Sequence, residues 1–267
     1  MYETYYGLAE KPFNLTPDTE FFYQSVTHRE ALDVLQIALR SGDGFIKVTG
    51  EVGTGKTMLC RKLLDALESE FETLYVPNPF MNSAALFEAV LRELRVTPGE
   101  GHNDPLSLIN ERLIENAREG KSTVILLDEA QAIPDESLEA IRLLSNLETG
   151  KRKLVQIVLF GQPELDERLA RDNLRQLRQR IMHHYQLRPL NRDSIGYYLQ
   201  HRISSAGYHG PRLFEADAIN RLYKFSRGIP RVINVLCNKA MMLSYANGDF
   251  YINGKHIEAA AADSQLQ

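Results

Sequence analysis

The run Gly50-Glu51-Val52-Gly53-Thr54-Gly55-Lys56-Thr57 satisfies the pattern G-x-x-x-x-G-K-[ST] in full. Each fixed position has a physical reason. Gly50, Gly53 and Gly55 let the backbone wrap closely, so that successive N–H groups and the start of the following helix aim at phosphate oxygens. Lys56 brings a mobile positive charge to the β- and γ-phosphates, and the Thr57 hydroxyl suits Mg²⁺. Met58 continues the contact surface into the helix. ATP with Mg²⁺ is the ligand this loop predicts. A second set of residues follows about seventy positions later. Val124-Ile125-Leu126-Leu127 runs into Asp128-Glu129, an apolar strand that delivers two acids to the carboxyl edge of a sheet. Asp128 is placed to hold Mg²⁺ through water, and Glu129 to orient and deprotonate an attacking water. A nucleotide switch or a small-molecule kinase needs the first acid but not the second. The pair therefore favours hydrolysis of ATP.

Leu154–Phe160 reads as another buried strand, ending in Gly161-Gln162-Pro163. This puts the Gln162 amide where it could meet a γ-phosphate or the lytic water. From Arg168 to Arg192 the chain carries Arg168, Arg171, Arg175, Arg178, Arg180, Arg188 and Arg192, its densest basic stretch. Three readings fit: a solvated helix face, an arginine finger donated to a neighbouring subunit, or a local nucleic-acid contact. His183-His184 adjoins the stretch, but adjacent strand residues face opposite ways, which disfavours a shared metal. Gly228-Ile229-Pro230-Arg231 begins a helix, with proline in the first turn and Arg231 able to reach toward phosphates.

These residues need a scaffold. Phe45–Thr49 is a β-rich run that stops at Gly50, and Met58–Leu67 has helical spacing through Leu59, Leu63, Leu64 and Leu67. Further strands are expected at 73–77, 123–127, 154–160 and 184–188, alternating with helices such as the one marked by Leu106, Ile109, Leu113 and Asn116. That alternation predicts a parallel sheet covered on both faces. After Pro189 only helices are expected: 194–206, 216–226, 230–245 and 254–261. The predicted division is a nucleotide-binding α/β domain over 1–188, including an N-terminal extension, and a helical domain over 189–267. Residues 96–105 read as a surface loop.

The 267 residues, 43% hydrophobic, suffice for such a core, and the net charge of −4 offers no global field for nucleic acid or anionic lipid. Cys60 and Cys237 have neither disulfide nor zinc spacing and read as buried thiols of a reducing compartment. The acidic, aromatic start Met1–Gly7 is unlike a secretory signal, and no apolar run approaches the ~18 residues of a membrane span. A cytoplasmic location is expected, with membrane contact only through a partner.

Together the loop, the Asp-Glu strand, the Gly-Gln-Pro turn and the Gly-Ile-Pro-Arg helix start resemble the AAA+ ATPases of the ExeA (general secretion pathway A) family. The likeness runs over nearly the whole chain. It includes Tyr5-Tyr6-Gly7-Leu8, Pro12-Phe13, Gly44–Thr57, Asp128-Glu129-Ala130-Gln131, Leu143–Thr149, Phe160–Leu165, Leu174–Ile181 and Gly228–Asn234. The resemblance implies a three-layer P-loop fold with a five-stranded parallel sheet of order 5-1-4-3-2 and a small all-α lid. It also implies ATP bound between subunits of a homo-oligomeric ring or filament, and partners among inner-membrane pilus or secretion components. By the same resemblance Gln162 is the sensor 1 residue, Arg180 the arginine finger in trans, with Arg175 and Arg178 as alternatives, and Arg231 sensor 2. The segment 13–29 is expected near the adenine, and Asn78 as a partner restraining Glu129. The sequence departs from larger relatives in ending at Gln267 without their membrane span and peptidoglycan-binding part, which puts cell-wall binding in doubt. Similar transposition ATPases bind DNA, so a DNA-associated regulator is the alternative.

Overall fold

The structure, a computed structural model, describes residues 2–16, 18–97, 104–150 and 152–264. Most of the interior of the expected loop at 96–105 therefore lies outside the described residues. By its internal contacts the chain divides into two compact units: residues 29–50 with 59–187, and residues 1–28 with 51–58 and 188–267.

The first unit is built on five parallel strands, β1 (Phe45–Gly50), β2 (Phe71–Val76), β3 (Ser122–Leu127), β4 (Val155–Gly161) and β5 (His183–Leu187). Their spatial order is β2-β3-β4-β1-β5, the predicted 5-1-4-3-2 read from the other edge. Strand periodicity sorts the side chains onto two faces. Ile46, Val48, Val124, Leu126, Val158 and Phe160 meet helices α2 (Val26–Ser41) and α3 (Lys56–Leu67) through Leu35, Leu59 and Leu63. The alternate residues Phe45, Ile125, Leu127, Ile157 and Leu159 meet α4 (Ser83–Glu93), α5 (Pro105–Arg118) and α6 (Asp135–Leu144) through Leu86, Ile109 and Ile141. Central strands covered on both faces have no polar side to spare, which is why β3 and β4 read as continuous apolar runs. The polar exceptions are bonded: Gln156 donates to the Leu39 carbonyl at 2.9 Å, and Asn116 donates to Thr123 Oγ1 at 3.2 Å. Two short helices, α7 (Glu164–Leu169) and α8 (Arg175–Arg180), connect β4 to β5.

The second unit contains α1 (Tyr2–Tyr6), α9 (Arg192–Ser205), α10 (Ala216–Ser226), α11 (Pro230–Asn247) and α12 (Gly254–Asp263). Its core joins Ile195, Leu199, Leu222, Ile233, Leu236 and Ile257 to Tyr2, Tyr6, Leu8, Phe13 and Phe21. This corrects the assignment of the N-terminal extension to the sheet domain. Tyr2, Tyr6, Leu8, Phe13 and Phe21 of that extension are buried among the C-terminal helices, and Arg202 latches it there. The Arg202 guanidinium donates to the carbonyls of Pro12 (2.6 Å), Phe21 (3.3 Å) and Asn14 (3.2 Å), and lies over the Phe21 ring. Three carbonyls and a ring face replace the water that a buried guanidinium loses. Cys237 is buried in this core and Cys60 in the sheet unit's, and burial pushes both thiols up.

Candidate functional site

In the helical unit the glycine loop is held from two sides. The Glu51 carbonyl accepts from Thr54 N (3.2 Å), Thr54 Oγ1 (2.8 Å) and Lys56 Nζ (3.0 Å), which closes the turn and draws Lys56 back over the loop. Gly53 has φ +82°, and a Cβ there would lie 2.5 Å from the Arg231 Cβ; Gly55 has φ +98°, and a Cβ there would lie 2.8 Å from His28 Nε2. Side chains are excluded by backbone conformation and by space alike. Lys56 opens α3, so the helix N-terminus follows the loop directly.

Arg231 N donates to the Gly53 carbonyl at 3.3 Å. That contact depends on Gly228, whose φ is +78° and whose hypothetical Cβ would lie 1.9 Å from the Leu190 carbonyl oxygen. Pro230 then starts α11 in its first turn, as its fixed φ favours. On the other side His28 Nε2 lies 3.0 Å from the Thr54 carbonyl, and Nδ1 lies 2.6 Å from Ser25 Oγ. A carbonyl only accepts, so Nε2 carries the proton and Nδ1 accepts from the Ser25 hydroxyl. Burial holds this imidazole neutral, its pKa pushed down to about 4 despite the Thr54 bond, which acts the other way.

The sheet unit holds the acids. Gly50 ends β1 and Asp128 follows β3, so both stand at the carboxyl edge of one sheet. Asp128 is 2% exposed, and its Oδ1 accepts from Glu129 N at 2.9 Å. Glu129 adopts φ 51°, ψ 39°, a left-handed conformation that costs a non-glycine residue on the order of 1 kcal/mol. Such outliers concentrate where a side chain must point in one direction. Its Oε2 accepts from Gln131 Nε2 and from Gln162 Nε2 (3.1 Å), while Gln131 Oε1 accepts from Gln162 N at 2.9 Å. Arg168 in turn donates to the Gln131 carbonyl at 2.7 Å and pairs with Asp135.

Asn78, expected beside Glu129, instead accepts from Phe80 N at 3.3 Å within its own turn. The restraint on Glu129 comes from amides of β3's own exit loop and of β4's end. His183 and His184 take different partners: His183 Nε2 lies 2.6 Å from Asp43, and His184 Nε2 lies 3.0 Å from Thr49 Oγ1. Burial, and after it nearness to Lys47, lower the His184 pKa.

Arg180 ends α8 ahead of β5. Because Met182 N bonds the Phe45 carbonyl at the start of β1, Arg180 stands by the strand-start edge of the sheet. Gly50, Asp128 and Gln162 lie at the opposite edge, a strand length or roughly 17 Å away. Of the basic stretch, Arg168, Arg178 and Arg192 make internal hydrogen bonds: Arg168 as above, Arg178 to the Ala170 carbonyl, and Arg192 to Asn220 and Asp193.

A family model described as "AAA domain" matches residues 39–169. The chain is 41% identical to "General secretion pathway protein A" of Aeromonas hydrophila over 263 residues, 98% of this chain and 48% of that protein. It thus spans about half the length of that curated relative. Among solved structures it is similar to Cdc6p from Pyrobaculum aerophilum, with TM-score 0.71, 15% identity, and coverage of 94% of this chain and 70% of that one. It is also similar to Drosophila ORC bound to DNA, with TM-score 0.70, 17% identity, and coverage of 97% and 65%. This is an AAA-type P-loop fold.

Two residues at these sites were not assigned a role from sequence. Gln131 lies within the Asp-Glu-Ala-Gln run that carried the resemblance, so its position carried a signal. His28 falls inside the segment expected near the base, but nothing in the sequence links it to Thr54, 26 positions away.

Proposed function

We propose that the chain hydrolyses ATP as a subunit of an oligomer that assembles or remodels a membrane-bound pilus or secretion apparatus. The observation that carries this is the pair Asp128-Glu129 at the sheet edge where β1 enters the glycine loop, with the Gln162 amide on the Glu129 carboxylate. In this reading loop residues 50–58 and Arg231 bind the triphosphate, and Lys56 holds its terminal phosphates. Asp128 and the Thr57 hydroxyl are hard oxygen donors of the kind Mg²⁺ takes. When bound, Mg²⁺ neutralises charge on the β- and γ-phosphates. Glu129 accepts a proton from water as its oxygen bonds to the γ-phosphorus, ADP leaves, and Gln162 positions the water and the carboxylate.

Arg180 supports a site completed in trans, because it stands at the edge of the sheet away from its own subunit's acids. A finger of this kind contributes roughly 10³–10⁵ in rate where it operates. Arg180→Ala and Lys56→Ala should each abolish turnover, and mixing them should restore part of it, since each supplies the half the other lacks. Mixtures as inactive as the separate proteins would remove the in-trans assignment.

The client is proposed from the relative in general secretion and from the motifs, which also resemble MshM, the ATPase of mannose-sensitive haemagglutinin pilus biogenesis. Among the described residues no helix is long and apolar enough to cross a membrane. We propose a cytoplasmic location with attachment to the inner membrane through a partner. A DNA-associated ATP-dependent regulator is the second reading, favoured by exposed Arg171, Arg175 and Arg188 and by the fold shared with ORC bound to DNA. Internal bonding of Arg168, Arg178 and Arg192 reduces the charge available for it. ATP-dependent duplex binding that falls steeply with salt would put it first.

A further inference from the structure

We infer that Gln131 is a positioning residue for hydrolysis, an amide clamp that sets the Glu129 carboxylate and ties it to the end of β4. The inference rests on Glu129 being the base. Gln131 uses both ends of its amide. Nε2 donates to Glu129 Oε2, and Oε1 accepts from Gln162 N at 2.9 Å. These two contacts fix the orientation of the amide, because a carboxylate only accepts and a backbone N–H only donates. Gln162 Nε2 reaches the same Oε2 at 3.1 Å, so three groups close a ring: carboxylate, Gln131 amide and Gln162. Both donors engage Oε2 and neither engages Oε1. The carboxylate is thereby gripped along one edge, and Oε1 is the oxygen that can address a water.

The surroundings are shaped for this amide. Gly161 precedes Gln162, and a Cβ there would lie 3.5 Å from Gln131 Oε1 and 2.7 Å from Leu165 Cδ2, so the β4 exit makes room for the side chains above it. The Gln131 carbonyl is anchored by Arg168 at 2.7 Å, and Arg168 and Asn173 converge on the Asp135 carboxylate. The clamp is therefore braced from α7 and α6, and it holds Glu129 in a left-handed backbone conformation that the residue would not favour alone. Positioning of a base within a few tenths of an ångström is what such bracing supplies.

The test is steady-state ATP turnover and nucleotide affinity for wild type, Glu129→Gln, Gln131→Met, Gln131→Glu and the double variant Gln131→Met/Glu129→Gln. Methionine keeps the volume and removes both amide ends. Glutamate keeps an acceptor for Gln162 N but sets a carboxylate against Glu129. Either single change should lower kcat at least tenfold while KM and the Kd for ATP stay within twofold. The double variant should turn over no more slowly than Glu129→Gln alone, because a residue acting only through the base has nothing left to act on. If Glu129→Gln is inactive but both Gln131 variants turn over within twofold of wild type, the clamp is wrong and the base assignment stands. If the double variant is at least tenfold slower than Glu129→Gln alone, Gln131 acts independently of the base and the clamp is again wrong. Wild-type turnover in Glu129→Gln would instead overturn the base assignment, and the clamp with it.

Discussion

The helical unit and the sheet unit divide the chemistry unevenly. The helical unit holds the loop, and the acceptors that shape it there are backbone: the carbonyls of Glu51, Gly53 and Thr54 take backbone N–H groups and the Thr54, Lys56 and His28 side chains, and two glycines sit at positive φ. The sheet unit holds the acids, and there the bonds run between side chains, amide to carboxylate, over a buried strand end. Backbone acceptors and glycines define a shape for the loop. Side-chain bonds define a direction for one carboxylate and are sensitive to single atoms. Binding should therefore fail through changes in the helical unit, and turnover through changes in the sheet unit.

The largest effect that sharpens this contrast is Glu129→Gln. It should reduce turnover on the order of 10³-fold, within the range for loss of a general base, while ATP affinity is retained. Rapid-quench turnover alongside equilibrium binding of a labelled nucleotide would check it, and a parallel loss of affinity would break the contrast. Next comes acid stability through His28. Its pKa falls from about 6.5 in the unfolded chain to about 4 when folded. Between those values the unfolded state binds the proton and the folded state does not, so stability is lost as pH drops from 6.5 toward 4. The loss approaches about 3 kcal/mol from this group. His28→Gln should show a flatter dependence in denaturant titrations across that window, and an unchanged slope would remove the assignment. The smallest is Gly53→Ala, which places a methyl against Arg231 at positive φ. It should weaken ATP binding about tenfold, or about 1.4 kcal/mol, while turnover at saturating ATP changes less than twofold. A selective loss of turnover would contradict the division.

Much of the sheet was legible because its physics is local. Four apolar residues before Asp128, and the strand before Gln162, can only be buried on both faces, and they are. The edge strand begins at His183, one residue before the expected 184, since His183-His184 carries no apolar alternation. α10 has the expected bounds, and its C-terminal end is set by Arg227 and Gly228, which break the helix with two successive positive φ values. The misassigned N-terminal segment and the unforeseen clamp share a cause. Arg202 meets Pro12 across 190 positions, and Gln162 meets Glu129 across 33. No periodicity encodes such pairings. For the same reason Asn78 is the partner of Glu129 expected from sequence, where three-dimensional placement puts Gln131 and Gln162.

Arg180 and the acids at opposite ends of the strands have a consequence for symmetry. If Arg180 completes a neighbour's site, a donor at one end of the strands and an acceptor at the other allow the same contact to be repeated from copy to copy, head to tail. Repetition of that contact would give a directional row or ring, whereas a twofold pair would stop at two copies. In an open row the terminal subunit keeps an uncompleted site, so turnover per subunit should climb with the length of the row and level off only when the row is long or closes on itself.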